Sequence, residues 1–240
     1  MIAKAIEKIL SLAAPGVANI GEEVYSKDVL IRLDKELRAS PITVRNLSSL
    51  VMYIRDFHEN RKELPLLVHV ENEKTVTLLT ALDGDRKRER LMVAMTEPPA
   101  IPFGHFVENE RMLISLQSSY VNDETTDIAA VLKFAGSVSA GSIKEYGDDG
   151  VTQKATVRQG VASKAEAIVP SPCTLRPFRT FPEVEQPASR FIFRMREGRG
   201  EMVESALYEA DGGAWKDEAM ENIRVYLEAK LEGTGVIVIS

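Results

Sequence analysis

The chain has 240 residues, 44% hydrophobic and 28% charged, with a formal net charge of −6 at pH 7 and a sequence pI near 5.3. That length fits one large domain or two small ones and buries enough surface to fold without staples, while the composition argues against bulk disorder and against unspecific binding to polyanions. The single cysteine, Cys173, excludes an internal disulfide and a thiolate zinc site and fits a reducing compartment.

At the N-terminus, Ile2, Ile6, Ile9, Leu10 and Ala13 recur at helical spacing until Pro15-Gly16. Lys4, Glu7 and Lys8 interrupt this run, so it reads as an amphipathic packing or oligomer-contact helix, not a secretory signal. The stretch DVLIRLDKELR fits a short helix or an edge strand equally well. Asn46 is a good N-cap for a helix whose face carries Leu47, Leu50, Val51, Ile54 and Phe57. Beyond Pro65, strands are predicted over Leu66 to Val70, Thr75 to Leu82 and Arg90 to Met95, with Asn72-Glu73 and Asp83-Gly84 as turns: a three-strand meander. Pro98, Pro99 and Pro102 make a rigid link to two further helices, Phe106 to Tyr120 and Thr125 to Val138.

Small residues from Gly136 to Gly141 mark a soft boundary. Short strands over Ile143 to Tyr146 and Val151 to Val157 flank the turn Gly147-Asp148-Asp149-Gly150, and Ala165 to Val169 is another. Pro170, Pro172, Pro177, Pro182 and Pro187 hold the next stretch extended, as an edge or an ordered crossing. Phe191, Phe193 and Met195 alternate with Ile192, Arg194 and Arg196 on one strand, and Met202 to Glu209 forms another. Trp215, Ala219, Ile223, Leu227 and Leu231 then stripe a long helix, with Gly233 as its C-terminal cap and an apolar strand at Val236 to Ile239. No stretch nears the ~20 apolar residues of a membrane span.

No motif with established chemistry stands out. His58, His69 and His105 have no metal-ligand spacing, and there is no phosphate-binding loop. Cys173 follows Pro172 with no histidine near it to act as base, so it reads as a packed thiol. Asp211-Gly212-Gly213 lies between a strand and a helix N-terminus, where backbone N–H groups bind anions, but the carboxylate itself would fill that place. DRKRER (Asp85 to Arg90) is a charged turn. Arg176, Arg179, Arg190, Arg194, Arg196 and Arg199 interleave with Phe178, Phe181, Phe191 and Phe193, the residue types with which single strands are held. The alternation over Phe191 to Arg196 equally describes an ordinary half-buried strand.

The segment LRPFRTFPEVEQPASRFIFR (Leu175 to Arg194) is similar to the hallmark of the YfdQ-like family of phage and prophage proteins of unknown function. FGHFVENERMLISLQSSYV (Phe103 to Val121), YGDDGVTQKATVRQGV (Tyr146 to Val161) and ALYEADGGAWKDEA (Ala206 to Ala219) agree in the same order, so the resemblance covers roughly Leu47 to the C-terminus. It implies phage origin and supplies no catalytic residue. Within the hallmark, the prolines and phenylalanines fix an extended path, and Arg179 or Arg194 is placed to pair with Glu183 or Glu185.

The expected fold is α+β: N-terminal helices and a small β-meander, then a β-rich C-terminal region with a long C-terminal helix and a final strand. The expected divisions are an N-terminal helical region (1–62), the meander plus helices (63–138) and the β-rich region (139–240), the last two open to forming one domain. The expected function is that of a non-enzymatic phage accessory protein of the host cytoplasm, acting by binding or self-assembly as a homo-oligomer, with no catalytic residue, metal or cofactor. The alternatives are a single-strand nucleic-acid-binding factor for phage replication or recombination using Arg176, Arg179, Arg194, Arg196, Phe178 and Phe181, an inhibitor of a host defence system acting by protein contact or by sequestering a small molecule, or an enzyme built on Asp211.

Overall fold

The computed structural model describes residues 2–13, 17–20, 23–26, 38–56, 64–138, 143–148, 153–159, 163–168, 170–199 and 202–240. They fall into two compact units, Met1–Ala39 and Ser40–Ser240. In the first, helix α1 (Ile2–Ala13) precedes an antiparallel hairpin of β1 (Val17–Ile20) and β2 (Glu23–Ser26) that the sequence did not announce. The stretch DVLIRLDKELR, apart from Arg38, and His58 lie outside the described residues.

The second unit contains, in chain order, β3 (Ile42–Val44), α2 (Leu47–Asp56), β4 (Leu66–Asn72), β5 (Thr75–Thr80), β6 (Arg90–Met95), β7 (Val107–Glu108), α3 (Asn109–Ser119) and α4 (Ile128–Ser137). There follow β8 (Ile143–Asp148), β9 (Gln153–Gln159), β10 (Ser163–Ile168), β11 (Cys173–Leu175), β12 (Ser189–Glu197), β13 (Val203–Glu209), α5 (Trp215–Leu231) and β14 (Ile237–Ile239). The fold is α+β, as expected.

The predicted meander is β4-β5-β6, widened to five strands by β3 and β14, which join its two edges in parallel. One core lies on this sheet: Leu47, Leu50 and Ile54 from α2 and Ile223, Leu227 and Leu231 from α5 pack with Val68, Val70, Val76, Leu78 and Met92. Asn46 caps α2 as anticipated, its Oδ1 accepting the Ser49 N–H at 2.8 Å. Leu47, Leu50 and Ile54 of the α2 stripe are buried in the meander's own core, with Val51 packed against it and Phe57 outside the described residues, so α2 does not stand apart with the N-terminal region. Gly233, at φ 80°, ends α5, and the Thr234 hydroxyl donates to the Leu231 carbonyl at 2.6 Å, turning the chain back into β14.

The second core lies between a four-stranded sheet, ordered β11-β12-β13-β7, and helices α3 and α4. Phe191, Phe193 and Met195 face inward from β12 beside Met112, Leu116, Ile128, Val131 and Leu207, while Ile192 and Arg196 face out. A third, antiparallel sheet has the order β10-β9-β8. The strands beyond residue 139 are thus shared among three sheets. Leu175 belongs to one core and Phe181 and Val184 to the other, so the proline-rich segment is a crossing that ties the two together.

Candidate functional site

The crossing is fastened along its length. The Val121 N–H donates to the Arg176 carbonyl and the Phe178 N–H to the Ser119 carbonyl, each at 2.9 Å, stitching it to the end of α3. The buried Gln186 closes the loop that follows. Its Oε1 accepts the Arg179 and Thr180 N–H groups at 2.9 and 3.2 Å, and its Nε2 donates to the Phe181 and Val184 carbonyls at 2.9 and 3.3 Å. All four bonds serve backbone groups outside helices and strands, of which the Phe181 carbonyl also accepts the Val184 N–H at 3.3 Å. The Thr180 hydroxyl reaches the Glu73 carbonyl at 2.6 Å, anchoring the loop to the β4–β5 turn.

This clasp fixes Arg179, which is only 5% exposed. Its guanidinium stacks 3.9 Å from the Trp215 ring centroid and lies 5.8 Å from that of Phe191. Nη1 donates to Glu209 at 2.7 Å, Nη2 donates to the Ser189 hydroxyl, and Nε has no hydrogen-bond partner. Burial pulls the pKa of Arg179 below its ordinary value, against the opposing charges of Glu209 and Asp211. Asp211 is beside it, with Oδ1 accepting the Gly213 N–H at 3.0 Å. Burial works to raise the Asp211 carboxyl, yet the Ser189 hydroxyl, the Gly213 N–H and the Arg179 charge together hold it below the usual carboxylate value.

Two potential nucleophiles close the cluster, and both are kept protonated. Burial pushes the Cys173 thiol up to about 12, helped by the Asp127 charge. Burial raises the Tyr120 hydroxyl further, against the lowering field of Arg179. Beside Arg179 a cleft of about 490 Å³ opens, lined by Pro98, Pro99, Phe178, Trp215, Lys74 and Lys216 among others. Among the described residues no group of three histidine, cysteine or acidic side chains could hold a metal ion.

No protein-family model, curated protein or solved structure matches this chain.

The residues singled out for nucleic-acid binding do not form one patch. Phe181 is 0% exposed inside the core under the five-stranded sheet, so it has no face to offer a base. Arg179 is consumed by the buried cluster. Arg176 pairs with Asp123 and Glu185 at 3.2 and 3.3 Å. Arg196 pairs with Glu204 at 2.7 Å and covers the Phe106 ring at 4.0 Å. It lies seven residues along β12 from Ser189, the Arg179 partner, which is roughly 20 Å of strand. Arg194 is half-buried on β12, opposite Ala206. Phe178 alone of the six combines exposure with a place on the cleft.

The expected pairing of Arg179 with Glu183 or Glu185 is also corrected. Glu183 turns instead to the start of α2, where it accepts from the Ser48 N–H and hydroxyl at 3.1 Å each. The residues that reasoning on the sequence missed are Glu209, Ser189, Trp215, Lys74 and Lys216. Trp215 was visible as the sole tryptophan, at the first position of a helix, where a buried indole is free to cover a cation.

Proposed function

We propose that this chain is a phage or prophage accessory protein of the host cytoplasm that works by contact and self-assembly as a homo-oligomer, without catalysis. The observation that carries the reading is the apolar side of α1: Ile2, Ile6 and Ile9 are 78%, 52% and 65% exposed. They share one helix side at i, i+4 and i+7, opposite Lys4, Glu7 and Lys8. Burying a fully exposed aliphatic side chain contributes roughly 1.5–3 kcal/mol, so the six isoleucines of two such faces, each about two-thirds exposed, together contribute roughly 6–12 kcal/mol. Association costs about 4–15 kcal/mol, which makes one helix pair marginal and calls for further contact. The edge strand β14 offers it, with Ile237 and Ile239 at 59% and 43% exposure.

The chemistry of the buried cluster fits the same reading. Cys173 and Tyr120 are held protonated, and the Arg179 charge is met by Glu209. The phage setting rests on the resemblance of the Leu175 to Arg194 segment to the YfdQ-like family. Sedimentation equilibrium of the full chain and of Ile6→Glu/Ile9→Glu tests the proposal. The native chain should sediment as an oligomer and the variant as a lighter species, with an unchanged melting curve. Equal masses for the two would contradict it.

A further inference from the structure

The cleft beside Arg179 carries features that packing does not require. Lys74, in the β4–β5 turn, and Lys216, in the first turn of α5, are exposed on its rim; among the described residues neither ammonium has an ion-pair partner, and that of Lys216 lies 5.9 Å from the Trp215 ring centroid. The Phe178 ring is 37% exposed on the same wall. Beneath them, Arg179 is nine-tenths buried with its Nε unmatched. The lining thus sets three cations against two carboxylates, Glu73 and Glu209, in a chain of net charge −6. Low-dielectric walls focus such a field on whatever enters. Pro98 and Pro99 make one wall rigid, and the volume, about 490 Å³, lies within the range of small-molecule sites. An exposed ring does nothing for a bare inorganic anion, and two ammonium groups without ion-pair partners do nothing for a neutral aromatic ligand.

We infer that this cleft binds a nucleotide unit, its base against Phe178 and its phosphate held by Lys74 and Lys216, either as a free nucleotide or as one residue of a single strand. The chemistry is the same for both sources: a flat ring for stacking and point charges for phosphate. The inference is independent of self-assembly, since a strict monomer that binds nucleotide leaves it intact.

The test is a titration of the full chain at low salt, followed by the fluorescence of Trp215, the only tryptophan, and by equilibrium dialysis. The probes are AMP, CMP, adenosine, inorganic phosphate and an oligothymidylate. AMP and CMP should bind with a Kd below about 1 mM, more tightly than adenosine or phosphate. Phe178→Ala should weaken binding about tenfold. Lys74→Ala/Lys216→Ala, confined to exposed side chains, should weaken it comparably and flatten its salt dependence. Lys133→Ala, on the exposed side of α4, should change nothing. Tighter binding of the oligomer than of the mononucleotide identifies a single strand as the source, and the reverse identifies a free nucleotide. The inference is overturned if no probe binds in this range, if adenosine or phosphate binds as well as AMP, or if the lysine pair variant binds as the native chain does.

Discussion

Replacing Arg179 with methionine isolates the contribution of the buried cation. The substitution removes the 2.7 Å ion pair to Glu209, the bond to Ser189 and the stacking on Trp215, while keeping most of the side-chain volume. Breaking a buried pair from one side costs about 3–5 kcal/mol, because the remaining charge is left without a partner. Here the Glu209 side chain is 39% exposed and regains water, which brings the expected loss to about 2–3 kcal/mol. For a chain of this length that corresponds to a fall in Tm of about 4–12 °C. Urea unfolding followed by Trp215 emission reads the effect as a lower midpoint at unchanged slope. Arg179→Lys, which keeps the charge but not the planar fork, should fall between the two. A loss below about 0.5 kcal/mol for the methionine variant would show that Arg179 does not hold the crossing together.

Three further outcomes follow from the same cluster. Gln186→Leu strands the Arg179 and Thr180 N–H groups and the Val184 carbonyl, while the Phe181 carbonyl keeps the Val184 N–H at 3.3 Å, and should cost about 3 kcal/mol in the urea assay; a near-neutral effect would mean the loop does not depend on the clasp. Asp211 has a folded pKa below its ordinary value of 3.8, so its stabilisation is present above that pH and disappears as pH falls through the folded value. Asp211→Asn should remove that acid-side loss, and identical acid unfolding of the two proteins would contradict the assignment. Cys173 has the opposite sign: with its pKa raised from 9.0 to about 12, stability should decline as pH rises above 9.0. At neutral pH the thiol should react with dithionitrobenzoate only as fast as the chain unfolds, and rapid native labelling would show it accessible.

Where periodicity is long and unbroken, the sequence was readable. The stripe from Trp215 to Leu231, the Gly233 stop and the alternation over Phe191 to Met195 reappear in α5 and β12. The elements missed are short: the local hairpin of β1 and β2 has four residues a strand, and β3, β7 and β11 have only two or three each and exist through pairing with distant strands, for which no local pattern is needed. The site was half legible. Prolines announced a fixed crossing, but an arginine among them reads as solvated. Its burial depends on Trp215 and Glu209, which the fold brings from the far end of β13 and the start of α5. Charge order alone could not choose between Glu183 and Glu209 as its partner, because the choice was made by Ser48 at the head of α2.

Native mass spectrometry of the untagged full chain at micromolar concentration tests the claim of action by contact most directly. The account predicts particles at multiples of 26.6 kDa that dissociate when Ile6 and Ile9 are replaced by glutamate. A single species at 26.6 kDa for the native chain would contradict it.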